Sequence, residues 1–251
     1  MNSKPKLYTA VLMIGLGLGL SSSTQAFTDI CETISYADFT AAANQAYEDT
    51  NQFGFGLPMW ATLVDATGKI CWVYSVKGEV AEPNTGQDAG NNAWLGSRVI
   101  SAQKANTANA FSLDGLAISS GAVYVAVLPG GSLYGLQHSN PVDATQAYKG
   151  PAQQRAEPND PLRFKNVGGI NVFGGGVALY DGAGIKVGAV GVSGDTSCRD
   201  HTMAYRLRGE LGLDNQPNDD SLTLVAVPAA LFEHPLCGVN DPDDLAFGAV
   251  Q

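Results

Sequence analysis

The stretch from Val172 to Arg208 constrains the fold more than any other part of this 251-residue chain. It reads as strand, tight turn, strand, glycine-rich corner and amphipathic helix. The predicted strands, Gly175 to Asp181 and Ile185 to Val192, flank Asp181-Gly182-Ala183-Gly184, which has hairpin chemistry. The predicted helix, Arg199 to Leu211, stops near Gly212. A glycine-rich corner feeding a helix N-terminus presents backbone N–H groups and the positive end of a helix dipole, a natural place for an anionic group.

A second hairpin is predicted upstream. Pro58 to Asp65 and Ile70 to Val76 are rich in β-branched and aromatic residues around Asp65-Ala66-Thr67-Gly68-Lys69. Helices are predicted over Tyr36 to Thr50 and Ala93 to Phe111. The first repeats Phe39, Ala42, Ala43, Ala46 and Tyr47 at helical spacing. The second carries a stripe of Leu95, Val99, Ala102, Ala105 and Ala108, small enough to let a helix sit close on a sheet. Gly78 to Asn92 is an acidic, polar loop, and Ala122 to Leu128 is a strand or a buried segment. Gly130 to Gly169 holds Pro141, Pro151, Pro158 and Pro161, and reads as a long irregular insertion. It is either functional or mobile, or a cover for an edge. Ser221 to Phe232 adds a strand in a C-terminal extension. Antiparallel hairpins with packed helices make an α+β sandwich, not a doubly wound sheet.

The N-terminus predicts export. Lys4 and Lys6 precede an apolar run from Tyr8 to Leu20, and Thr24-Gln25-Ala26 fits a cleavage site. Residues 1–26 are therefore expected to be a signal peptide, the mature chain starting near Phe27 in the periplasm or outside the cell, with no membrane attachment after cleavage. Loss of two lysines takes the formal net charge from −10 to −12. A chain this acidic is a poor partner for nucleic acid or anionic lipid. Four cysteines remain: Cys31, Cys71, Cys198 and Cys237. An even number in an exported chain suggests two disulfides, and no CxxC spacing points to zinc. Three pairings are possible. Cys198–Cys237 is favoured as a staple between the tail and the corner, leaving Cys31–Cys71.

Few residues carry candidate chemistry. Ser193 falls one residue short of a G-x-S-x-G elbow and reads first as a turn residue. Asp200 falls on the inner face of the last helix, with Met203, Ala204, Leu207 and Leu211, where it either complements the dipole or faces a ligand cleft. The histidines are His138, His201 and His234, and no two have metal-ligand spacing. His201 is expected away from the apolar stripe, near Tyr205 and Arg208. His138 stands at the entrance of the insertion.

Four segments in order carry a family resemblance. They are Ala61-Thr62-Leu63-Val64-Asp65 with Gly68; Ser101 to Ala108 with Phe111; Gly174 to Tyr180; and Val187 to Gly194, followed by Asp200. Together they resemble the GlcG/HbpS family of haem-binding or haem-degrading domains, which includes the C-terminal domain of PduO-type proteins. The resemblance covers most of Met59 to Leu211. It implies a profilin-like domain over residues 27–213, with an antiparallel sheet and packed helices, assembly into a homo-oligomer, and tetrapyrrole binding in some exported members. Asp65, Lys104, Ser193 and Asp200 fall on family motif positions. The insertion at 130–169, the tail at 214–251 and the cysteines depart from the usual pattern.

The expectation is an exported protein that binds a small anionic ligand, haem or a related tetrapyrrole. Lys104, Ser193, Gly194, Asp200, His138 and His201 would form its site, with His138 or His201 as the iron ligand. His234, in the extra tail, ranks below both. Arg98, Lys104, Arg206 and Arg208 are the cations available to propionates. The alternatives are an enzyme or enzyme accessory acting on a small hydroxy acid or other metabolite, and an interaction domain with no ligand.

Overall fold

A computed structural model describes residues 29–48, 54–77 and 90–238. The expected signal peptide, most of the acidic loop and the last residues of the tail lie outside the described residues. The elements are α1 (Ile30–Thr33), α2 (Tyr36–Glu48), β1 (Met59–Asp65), β2 (Ile70–Val76), α3 (Ser97–Phe111), α4 (Leu136–Ser139), α5 (Ala144–Ala147), β3 (Gly176–Tyr180), β4 (Lys186–Ser193), α6 (Ser197–Glu210), β5 (Thr223–Val225) and β6 (Glu233–Pro235). The fold is α+β: a four-stranded antiparallel sheet of order β2-β1-β4-β3, packed against helices.

The two hairpins share one turn design. Asp65 accepts from the backbone N–H groups of Thr67 and Lys69, and Asp181 from those of Ala183 and Ile185, at 2.9–3.0 Å. An aspartate that binds its own turn in this way fixes the loop and so the register of both strands. The β1–β4 pairing then joins the hairpins, setting Trp60 opposite Ser193 and Leu63 opposite Val190.

Both faces of the sheet are covered, and strand alternation sorts the side chains between them. Met59, Ala61 and Leu63 pack with Phe39, Ala43 and Ala46 of α2 and Met203, Ala204 and Leu207 of α6. Trp60 and Val64 point the other way, onto Val99, Ala102, Ala105 and Ala108 of α3. That helix sits close because its stripe is small and Gly191 faces it. A Cβ on Gly191 would overlap the Ser101 carbonyl oxygen and the Ala105 nitrogen. Buried hydroxyls meet at the same contact, Thr62 Oγ1 lying 2.7 Å from Ser101 Oγ. Leu95, counted in the predicted stripe, precedes the helix and is exposed, because α3 starts only at Ser97.

The insertion covers an edge. Phe164 N–H donates to the Ile70 carbonyl at 2.7 Å and Ile70 N–H to the Lys165 carbonyl at 2.9 Å, so the segment docks on the outer side of β2. Ala147, Leu162 and Val167 enter the α3 core cluster. Asp160 anchors it, accepting from the N–H groups of Ala156 and Leu162 and from the buried guanidinium of Arg98. The insertion thus occupies the Ile70 end of this edge.

Residues 122–128 are a buried segment and not a strand. They form two 3₁₀ turns, Gly121–Val123 and Val125–Val127, with Ala122, Val123 and Val127 inside. The sheet edge they approach is filled differently: Ser120 N–H donates to the Gly176 carbonyl and Ser120 Oγ accepts from Gly176 N–H. The predicted tail strand resolves into the short parallel ribbon of β5 and β6. Two disulfides, Cys31–Cys71 and Cys198–Cys237, leave no free cysteine.

Candidate functional site

A cavity of about 600 Å³ opens beside the β4–α6 corner. That is within the range of roughly 300–1,000 Å³ common to small-molecule sites. Phe55, Trp94, Ile100, Phe173 and Leu236 supply apolar walls, and Lys104, Ser193, Asp200 and His234 reach it as polar groups.

The corner is built tightly. Gly194 has φ +154°, and a Cβ there would press on the Pro58 carbonyl and lie 2.7 Å from Met59 Cα. Asn91 Nδ2 clamps it from outside, donating to the carbonyls of Gly194 (2.6 Å) and Pro58 (2.8 Å). Several of the N–H groups expected to hold an external anion are met by the protein's own groups. Asp195 accepts from Phe55, Leu57 and Thr196 backbone N–H at 2.7–2.9 Å, and pairs with Arg199 at 2.9 Å. Asp195 N–H donates to Asp200 Oδ1 at 3.0 Å, and Thr196 Oγ1 caps α6 by accepting from Arg199 N–H. The anions at this helix start are the protein's own carboxylates, which complement the dipole internally.

Lys104 and Asp200 meet at the cavity floor, Nζ to Oδ2 at 2.7 Å, both almost fully buried. Burial dominates their titration. It pushes the Asp200 carboxyl up to about 6 despite the ammonium beside it, and pushes the Lys104 ammonium below its ordinary value despite the carboxylate. The sequence brought these two together only as motif positions; the structure makes them one ion pair.

The histidines separate into three situations. His138 lies in α4, is exposed, and is not among the residues lining the cavity. His201 is not on an outer face as expected but is fully buried, because the tail lies over that flank of α6. A Cβ on Gly174 would touch both His201 and Leu222 of the tail. Neither ring nitrogen of His201 has a hydrogen-bond partner, and burial holds its pKa down to about 3. His234 lines the cavity, buried, with Tyr124 and Phe173 around its ring at 5.4 and 6.5 Å between centroids. Its Nδ1 lies 2.8 Å from the Pro235 carbonyl, which assigns the proton to Nδ1 and makes Nε2 an acceptor for the Ser197 hydroxyl, 3.3 Å away. Burial keeps this imidazole neutral. The tail position that made His234 look peripheral in sequence is what brings it in, since Cys198–Cys237 ties that segment to the first turn of α6.

The expected cations are mostly committed. Arg98 pairs with Asp160, and Arg208, fully buried, forms a two-pronged pair with Asp220 at 2.8 and 2.9 Å. Arg206 is exposed. Among the described residues, Lys104 alone of the expected cations lines the cavity.

A family model for haem-degrading proteins of the HbpS-like type matches residues 34–207. The chain belongs to that HbpS-like family. The matched region includes Lys104, Ser193, Asp200 and His201 and stops before the tail that carries His234. Similar solved structures include a PduOC–haem complex (22% identity, covering 72% of this chain and 94% of that one, TM-score 0.46). Others are the Klebsiella pneumoniae protein ORFY (22%, 71% and 90%, 0.45) and a double mutant of Streptomyces reticuli HbpS (16%, 82% and 99%, 0.41). No curated protein sequence matches.

Proposed function

We propose that this protein binds haem or a related tetrapyrrole in the cavity beside α6, with His234 as the imidazole facing the metal. The observation that carries this reading is a buried imidazole, hydrogen-bonded through Nδ1 to the Pro235 carbonyl, in the wall of a largely apolar cavity of about 600 Å³. Membership of the HbpS-like family supports it. The donor set fits the group: imidazole is a common protein ligand to haem iron, and a largely apolar lining suits a macrocycle. Haem would supply metal-centred ligand-binding and redox chemistry. The chain's own residues do the rest. Phe55, Trp94, Ile100, Phe173 and Leu236 would offer apolar surface to the macrocycle. Ser193, Ser197 and Asn171 offer polar atoms, and the Lys104–Asp200 pair closes the floor.

Haem titration followed by the Soret band tests this reading. Wild type is expected to give a saturable band. His234→Ala should shift it and weaken binding, while His138→Ala and His201→Ala leave it in place. Loss of the band only in His138→Ala or His201→Ala would restore the ligand expected from the sequence. No saturable band in wild type would remove the haem reading.

The buried Asp200 carboxyl, held up to about 6 beside Lys104, favours a second reading, proton transfer on a small metabolite. Thermal stabilisation by hydroxy acids in the absence of haem, lost in Asp200→Asn, would support it.

The proposed setting is the periplasm or the extracellular space, after cleavage near Phe27. Two disulfides are the kind of bond that persists in an oxidising compartment, and no helix among the described residues is long and apolar enough to cross a membrane. Mass spectrometry of exported protein checks the cleavage. Assembly into a homo-oligomer, implied by the family resemblance, is checked by sedimentation velocity.

A further inference from the structure

We propose that reduction of Cys198–Cys237 converts the rim of the cavity into a binding site for a thiophilic metal ion of the Zn²⁺ type, held by Cys198, Cys237 and His234. The two sulfurs and a ring nitrogen of His234 lie within 4.8 Å of one another. While the disulfide is closed, neither sulfur is a thiolate, and only thiolates ligate strongly. Opening it supplies two.

The surroundings suit ligation. Outer partners usually fix a metal-binding histidine by accepting its other N–H. His234 already has this arrangement, with Nδ1 on the Pro235 carbonyl at 2.8 Å and Nε2 turned toward Ser197 and the sulfurs. Cys237 Sγ accepts the backbone N–H of Cys198 at 3.1 Å, in the first turn of the 14-residue α6. That donor and the helix dipole favour a thiolate at Cys237. Zinc–sulfur bonds of about 2.3 Å in tetrahedral geometry need sulfurs about 3.8 Å apart. With the Cα atoms of Cys198 and Cys237 at 6.1 Å, side-chain rotation and a small shift of the tail provide this. Three protein ligands leave a fourth position, as in open zinc sites. Cys237 and His234 both line the cavity, so the site would lie at its rim.

The chemistry balances with a thiol reductant. Two RSH reduce the protein disulfide, giving RSSR and two protein thiols. Binding of M²⁺ then displaces two thiol protons. The inference does not depend on haem binding, though the two would compete for His234.

Cobalt(II) is the probe. Full-length protein is reduced with a phosphine, desalted without oxygen and titrated with Co²⁺. The expected result is one Co²⁺ per chain, with a thiolate charge-transfer band and the intense visible bands of a tetrahedral site, displaced by Zn²⁺. Oxidised protein should give neither band. Cys31→Ser/Cys71→Ser should retain the signal, Cys198→Ser should lose it, and His234→Ala should weaken binding by at least the ~10–100-fold that outer-shell changes cost. His234→Asp, which keeps a ligand atom, should restore part of the affinity. The proposal is overturned if reduced wild type gives no tetrahedral spectrum, if His234→Ala and His234→Asp both match wild type, or if the signal follows Cys31 and Cys71. Haem binding measured on oxidised protein is unaffected by any of these outcomes, so the two readings fail separately.

Discussion

The two disulfides close loops of nearly equal span and do different work. Cys31 and Cys71 are 40 residues apart, Cys198 and Cys237 are 39. Loop-closure entropy treats such loops alike, at about 2–4 kcal/mol each. Their settings differ. Cys31–Cys71 ties α1 to β2 inside the main core, among Ile30, Leu63 and Trp72. Cys198–Cys237 ties a tail to α6 in a small cluster with Leu224 and Leu236, and helps to hold His234 at the cavity. A bond embedded in a packed core supports the global fold, while a bond on a lightly packed segment sets where that segment lies.

The largest test of that contrast is Asp220→Ala. It leaves the fully buried guanidinium of Arg208 without its carboxylate, and should cost about 3–5 kcal/mol in chemical unfolding. That result would extend the core into the tail as far as Asp220. A loss under about 1 kcal/mol, the range of a surface ion pair, would make the whole tail peripheral.

Disulfide removal comes next. Cys31→Ser/Cys71→Ser should lose about 2–4 kcal/mol of global stability. Cys198→Ser/Cys237→Ser should lose less, but should raise hydrogen exchange and proteolysis around β6 and weaken haem binding. Equal global losses with no local change in the second variant would erase the distinction.

The β4–α6 corner belongs to the core side of the comparison. Gly191→Val meets α3 backbone, and Gly194→Val meets β1 backbone at a φ that favours glycine. Each should cost on the order of 1–3 kcal/mol. Unchanged unfolding in both would show an ordinary corner.

The smallest effects are in pH dependence, where two adjacent buried residues act oppositely. Asp200 has its pKa raised from 3.8 to about 6, so its contribution is full below about pH 4 and falls as pH rises through 6. His201 has its pKa lowered from 6.5 to about 3, so its contribution is full above about pH 6.5 and is lost as pH falls. Between pH 4 and 6 the two trends partly cancel. Asp200→Asn should steepen the loss of stability on acidification, and His201→Gln should flatten it. Parallel urea series at several pH values read the slopes, and unchanged slopes in both variants would contradict the assignment.

Much of the scaffold was legible because its signals are local. Asp65 and Asp181 bind their own turns, so the hairpins show in short runs of sequence. The small stripe of α3 and the glycines facing it announce close helix–sheet packing. Residues 122–128 were ambiguous because a short apolar run has no period that separates a strand from a buried turn. The site was less legible. Lys104 and Asp200 are 96 residues apart, and no local pattern states that they touch.

By itself, the sequence left three disulfide pairings open, Cys198–Cys237 being favoured, but determined the α+β class, the two hairpins, the glycine corner and the inner face of α6. Each follows from periodicity, turn chemistry or simple counting over neighbouring residues. Only the tertiary structure decided which histidine meets the cavity. The last turn-forming segment folds back over α6, burying His201 and Arg208 on a flank that reads as polar and carrying His234 to the cavity wall. Helical periodicity describes a helix against one partner; a second layer laid on by a distant segment changes burial, pKa and reach at once. That depends on long-range contacts, which a linear reading does not contain.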